Sequence, residues 1–299
     1  MKLILDTDIG TDIDDAVALA LCLNSPELEL VGVTTVNSDT ELRARIARKL
    51  IHLSGQSVPV AIGVGPPLLR DKQHGWMGHE GEGFLAEDDP EWEELKSPLH
   101  AVDYIIEQAE KYPGELVLAP IGAMTNLALA LLKERRLVDW VSRIVAMGGV
   151  LRIAPDMLYL PPIEHNIFCD PEAAKIVLES GIPMNLVPLD VTQRTRVTRA
   201  DMQAFQARED GVARGLAAML ARWLSIREAD STPMHDPLAL ASLIDPELLT
   251  LAPMRLSVQL AGELRGQIIW HLDENSPSSV AVGVDAERFH RLLRERLLP

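Results

Sequence analysis

Five aspartates, Asp6, Asp8, Asp12, Asp14 and Asp15, fall within the ten residues of "DTDIGTDIDD". Carboxylates held a few ångströms apart repel one another, and in a partly dry site each also loses hydration. A positive partner is therefore expected. No Cys or His lies in the stretch, and an all-oxygen cluster suits a hard ion, Ca²⁺ or Mg²⁺. An EF-hand does not fit, because counting from Asp6 or Asp8 gives neither a glycine at the sixth position nor a glutamate at the twelfth. A phosphate cradle does not fit either, since the loop has a single glycine, Gly10, and no following Gly-Lys. A plain acidic cap on a helix beginning near Asp14 or Asp15 accounts for one or two of the acids, not for five. Asp6 is expected to orient the loop by accepting backbone hydrogen bonds.

Acids this close need a rigid frame. Short apolar runs, "KLILD", "LELVGVTTV", "VPVAIG", "GELVLAPIG", "RIVAMGG" and "MNLVPLD", read as strands. Between several of them lie helical patterns over 41–53, 98–111, 126–134 and 171–180, and 215–230 also reads as a helix before a proline-containing break. This alternation predicts an α/β fold, a single domain over 1–299 with a mostly parallel central sheet flanked by helices. Ligands of such sheets bind beyond the carboxyl ends of the strands. The aspartate loop, "TVNSD", "PIGAMTN" and "MGG" all follow strands, so four strand ends are expected on one rim. The stretch 65–96 is the least regular and reads as a lid or an oligomer contact.

Lys plus Arg is 28 and Asp plus Glu is 44, giving a net charge of −16, which repels nucleic acid and anionic membrane surfaces. With 47% hydrophobic residues, a chain of this length can bury a large core. Two cysteines, Cys22 and Cys169, form neither a disulfide framework nor a zinc pattern, and a reducing cytoplasm is expected. No leader pattern precedes "LILD" and no apolar run reaches membrane-spanning length, so the chain is expected to start at its first strand.

"DTDIGTDIDDAVAL" resembles the N-terminal signature of the nucleoside hydrolases, the inosine-uridine-preferring N-ribohydrolases. "PVAIGVGPPLL", "HGWMG", "PIGAMTNLALAL", "IVAMGGV", "EHNIFCDPEAAKIVLESGIP" and "MHDPLALASLI" follow in family order, to about Leu243. The resemblance implies a Rossmann-like nucleoside hydrolase fold, a bound Ca²⁺, a ribonucleoside substrate and a homo-oligomer, dimeric or tetrameric. It implies that Asp8 binds the ion and takes a proton from the attacking water. Asp15 and Asp236 are then further ligands, Asp236 also meeting the ribose, and the Ile121 carbonyl is a main-chain ligand. Asp14, Glu164 and Asn166 match positions that hold ribose hydroxyls, Asn37 lines the same pocket, and His74 and His235 are the base-side histidines. Two departures stand out. The segment 11–13 resembles a lengthening of the family's loop by two residues, which leaves the ribose role open between Asp12 and Asp14, and "APDMLYLPPIEHN" lacks the asparagine that meets the 5′-hydroxyl.

Cleaving a ribosyl C1′ to nitrogen bond builds positive charge on the sugar, which a carboxylate-lined pocket stabilises more than it does the neutral substrate. The leaving base needs a proton or a hydrogen bond, which a histidine can supply. Trp76 and Trp223 have the ring size to stack on a base, or to pack in the core. His52, His100, His165 and His290 read as surface or satisfied residues, and Cys169 as a small buried one. Two rivals remain: a haloacid dehalogenase-like Mg²⁺ phosphatase, which "LILDTD" also resembles although Gly10 breaks its motif, and a silent calcium-dependent nucleoside- or ribose-binding protein.

Overall fold

The computed structural model describes residues 1–69, 78–153 and 160–298. Strand β1 (Lys2–Thr7) is buried from Leu3 onward, as an unbroken apolar run covered on both faces requires. It leads to α1 (Asp14–Leu23), every residue of which is buried; a helix apolar all round belongs inside the molecule. β2 (Glu29–Thr35) and α2 (Thr40–Leu53) follow, and the Asp39 side chain starts α2 by accepting from the Leu42 amide at 3.0 Å. Next come β3 (Val60–Ala61), α3 (Ala101–Lys111), β4 (Leu116–Pro120), α4 (Thr125–Lys133), the short α5 (Leu137–Trp140) and β5 (Val141–Met147). Two short helices, α6 (His165–Cys169) and α7 (Pro171–Leu178), precede β6 (Met184–Val187) and the single turn α8 (Leu189–Thr192). An antiparallel ribbon of β7 (Arg196–Thr198) and β8 (Ser231–Pro233) brackets α9 (Arg199–Gln206) and α10 (Gly211–Ile226). The chain closes with α11 (His235–Ile244), β9 (Leu249–Val258), β10 (Ile268–Leu272), β11 (Ser278–Val284) and α12 (Ala286–Leu297).

The strands other than the ribbon form one nine-stranded sheet in the order β3-β2-β1-β4-β5-β6-β11-β9-β10. Neighbours from β3 to β11 are parallel, and β9 runs antiparallel to both β11 and β10. The mostly parallel α/β sheet expected from the alternating pattern is thus present. Leu3 and Leu5 of β1 join the core beneath α1, α2 and α11, whereas Ile4 joins the core beneath α3, α4 and α7, as alternate side chains of a strand must. From β1 the chain turns to β2 and β3, then crosses to β4 on the other side of β1. The strand order reverses between β1 and β4, and a crevice opens at their carboxyl ends. No helix among the described residues is long and apolar enough to cross a membrane.

Candidate active site

Helices α1 and α11 pack against each other and carry acids at the ends that meet this crevice. Asp14 and Asp15 open α1, and His235 and Asp236 open α11. Helix α11 has no side-chain cap from its own N-cap residue; instead Asp14 Oδ2 accepts from the amides of His235 at 3.1 Å and Asp236 at 3.4 Å. A carboxylate suits the positive end of a helix. The Thr7 hydroxyl donates to Asp15 Oδ1 and accepts from the Ile9 amide at 3.1 Å. Asp12, Asp14 and Asp15 each offer a carboxylate oxygen within 4.8 Å of the others. Asp8, just beyond β1, and Ile121, just beyond β4, stand on the same wall as Asp15 and Asp236. A Cβ on Gly122 would lie 2.8 Å from Asp8 Oδ1, so only glycine lets the end of β4 approach Asp8 this closely.

Burial, followed by the charges of neighbouring aspartates, holds the carboxyls of Asp14, Asp15 and Asp236 well above the usual range. Asp12 is raised as well, by burial and by the charge of Asp8. Such a cluster favours protons or a cation. Its donor atoms are all oxygen, which fits a hard divalent ion.

The sugar-facing candidates are locked by the backbone. Glu164 caps α6, its Oε1 accepting from the Asn166 amide at 2.7 Å and its Oε2 from Ile167 at 3.1 Å and Gly149 at 2.9 Å. Asn166 Nδ2 donates to the Ile121 carbonyl at 2.7 Å and to the Met147 carbonyl at 3.3 Å. The Ile121 oxygen retains a second lone pair. Asn37 has a left-handed backbone, φ 67°, which asparagine tolerates. It stands behind Asp8, donating to Asp8 Oδ2 at 3.3 Å and lying 3.7 Å from Cys169 Sγ.

Beside Asp236 at the start of α11, His235 Nδ1 lies 2.7 Å from the Thr192 hydroxyl. Burial, and then the charge of Arg196, lower the His235 pKa to about 4, so its ring is neutral at neutral pH. His74 and Trp76 lie outside the described residues. Directly after them in sequence, His79 Nε2 hydrogen-bonds the Thr11 carbonyl at 2.6 Å, and Glu80 accepts from the Thr11 hydroxyl at 3.2 Å. The whole cavity measures about 460 Å³, the size of a small-molecule site. His165 and Arg227 stand on its wall.

An acidic crevice at the strand switch narrows the choice of family, and likeness to known proteins decides it. The family model described as inosine-uridine preferring nucleoside hydrolase matches residues 3–291. The chain belongs to that family. A pyrimidine-specific ribonucleoside hydrolase, RihA of Enterobacter sp. (strain 638), is 34% identical over 99% of this chain and 97% of its own. The solved purine-preferring ribonucleoside hydrolase from Gardnerella vaginalis is 33% identical with a TM-score of 0.88, covering 99% of this chain and 98% of its own. A plant nucleoside hydrolase, the PpNRh1 enzyme, is 28% identical with a TM-score of 0.85 over the same shares. The chain is thus a hydrolase acting on N-glycosyl compounds, in a metal-dependent family. The phosphatase and silent-binder readings are not favoured.

Several residues at the site escape the sequence reading. Arg43 is buried beneath the aspartate loop, although its place on the apolar stripe of α2, between Thr40 and Ala47, offers a signal. Thr192 and His79 give no such signal, because only the fold brings them to their partners. Asp6 also differs from expectation. Its Oδ1 accepts from the Thr34 hydroxyl at 2.6 Å and from Asn126 Nδ2 at 2.7 Å, side chains rather than backbone. Trp223 is half-buried, stacked on His79 with ring centroids 6.1 Å apart, and donates to the Thr232 hydroxyl at 3.0 Å.

Proposed function

We propose that the chain hydrolyses the bond between ribose C1′ and the base nitrogen of ribonucleosides in a calcium-dependent reaction. The observation that carries this reading is the convergence of Asp8, Asp12, Asp14, Asp15, Asp236 and Ile121 on one cavity wall. Asp8, Asp15, Asp236 and the Ile121 carbonyl would hold the ion. Calcium bound there supplies a positive centre that polarises and positions the attacking water. Asp8 accepts the water's proton, and Asn37 fixes the carboxylate that does so through its 3.3 Å bond. Glu164 and Asn166 hold ribose hydroxyls. Asp14 already serves α11 through one oxygen, so Asp12 shares the hydroxyl-holding role.

As the C1′ to nitrogen bond stretches, charge develops on the ribose, and the surrounding carboxylates stabilise that state more than the neutral substrate. His235 assists the leaving base as a neutral donor, with Thr192 on Nδ1 and the proton on Nε2. His74 is a second base-side donor and Trp76 a stacking surface over the base, both by sequence position. The chain works as a homo-oligomer, dimer or tetramer, in a reducing cytoplasm. A net charge of −16 favours uncharged nucleosides over nucleotides and keeps nucleic acid away. Relatives of similar identity are named for opposite bases, so base choice rests on the residues around the base rather than on the catalytic wall. A crystal soaked in calcium is expected to show one ion per chain within about 2.3–2.6 Å of Asp8, Asp15, Asp236 and the Ile121 carbonyl. An ion held by other oxygens, or none in the crevice, would overturn this ligand set.

A further inference from the structure

Helix α2 sends a buried cation under the acidic loop. Arg43 is 2% exposed, and each nitrogen of its guanidinium reaches a different part of the site. Nε donates to the Asn37 carbonyl at 2.8 Å. Nη1 donates to the Asp8 carbonyl and, at 3.0 Å, to the Ile9 carbonyl. Nη2 lies 3.3 Å from the Thr11 hydroxyl. Asp8 is therefore gripped twice, once through its own carbonyl and once through Asn37, whose side chain donates to Asp8 Oδ2. Through Thr11 the same fork reaches the 11–13 segment where it is anchored, His79 bonding the Thr11 carbonyl and Glu80 accepting from the Thr11 hydroxyl. A planar fork with fixed donor directions can organise several acceptors where a lysine, a point charge, cannot.

We propose that Arg43 is a positioning residue that holds the aspartate loop in its ion-binding shape before an ion arrives. The proposal rests on the calcium reading above. It makes a prediction opposite in sign to simple electrostatics. If Arg43 served only as a counter-charge, removing it would tighten cation binding, because one nearby positive charge would be gone. If it shapes the loop, removing it weakens cation binding despite the more negative site.

The test is calorimetric titration of Ca²⁺ into the metal-stripped full chain and into Arg43→Ala and Arg43→Lys, each checked for native circular dichroism. Arg43→Ala is expected to bind Ca²⁺ about 10–100-fold more weakly. Millimolar methylguanidinium, but not sodium at equal ionic strength, should restore the affinity. Arg43→Lys keeps the charge and loses the fork, and it is expected to be weakened too; it decides the matter if Arg43→Ala does not fold. Wild-type affinity or tighter binding in the variants overturns the proposal. A wild-type chain that binds no Ca²⁺ instead overturns the metal reading on which it rests.

Discussion

His235 couples two features that the chemistry needs together. Its burial lowers the pKa to about 4, so above that pH the ring is neutral and its remaining N–H does not titrate across the neutral range. Its Nδ1 lies 2.7 Å from the Thr192 hydroxyl, which in the proposed mechanism leaves Nε2 as the donor. His235→Ala is expected to slow hydrolysis of inosine by about 10²–10⁴-fold while sparing 4-nitrophenyl riboside, whose leaving group departs without a proton. Initial rates on the two substrates check this, and a parallel loss on both would place His235 on the metal side. The wild-type rate on inosine should show no decline as pH rises through 6.5, where an exposed imidazolium donor would lose its proton. The motif "MHD" makes His235 legible from sequence. Thr192 is not, because a hydroxyl 43 residues away acquires its role only when α8 folds against the start of α11.

Asn126, on α4, joins strands that sequence leaves unconnected. Its Nδ2 donates to Asp6 Oδ1 at 2.7 Å on β1 and to the Thr35 carbonyl at 2.9 Å on β2, and its Oδ1 accepts from the Val64 amide at 2.9 Å. The side chain is fully buried. Asn126→Ala strands these partners without water, at about 1–3 kcal/mol for each unsatisfied group. A loss of about 3 kcal/mol or more is expected, measured by urea unfolding, and a loss under 1 kcal/mol would show that the bridge is dispensable. The parallel strands β1 to β6 are legible because each is a compact apolar run closed by a Gly, Asn or Asp turn. The C-terminal strands are not. β9 mixes exposed and buried positions without clean alternation and contains Pro253, and its partners β10 and β11 are specified by pairing rather than by local pattern. The start of α1 near Asp14 is legible from sequence, although Ile13 at its N-cap makes no side-chain cap; the Asp14 carboxylate capping α11 from a different helix is not legible, since that contact spans 221 residues.

For the whole molecule, crowding acids into a buried crevice sets the response to pH and to metal. Asp6 is raised to about 7 by burial, opposed by its bonds to Thr34 and Asn126, and burial with the charges of neighbouring aspartates also holds Asp14, Asp15 and Asp236 well above the usual range. Unfolded aspartates titrate near 3.9, so between about pH 4 and 7 the folded, metal-stripped chain holds more protons than the unfolded one. Its stability should therefore fall as pH rises through that window. Thermal melts in chelator are expected to show a lower Tm at pH 8 than at pH 6, and saturating Ca²⁺ should remove most of that difference by binding the carboxylates once they are ionised. An equal Tm at both pH values in chelator would mean that the cluster is not under strain. The central claim is calcium-dependent hydrolysis with Asp8 as the base, and the most direct measurement is release of free ribose from inosine and uridine. Chelator-stripped wild type should release almost none, and Ca²⁺ should restore turnover. Asp8→Asn under saturating Ca²⁺ should bind nucleoside yet turn over far more slowly. Undiminished ribose release in chelator, or full activity of Asp8→Asn, would contradict the account.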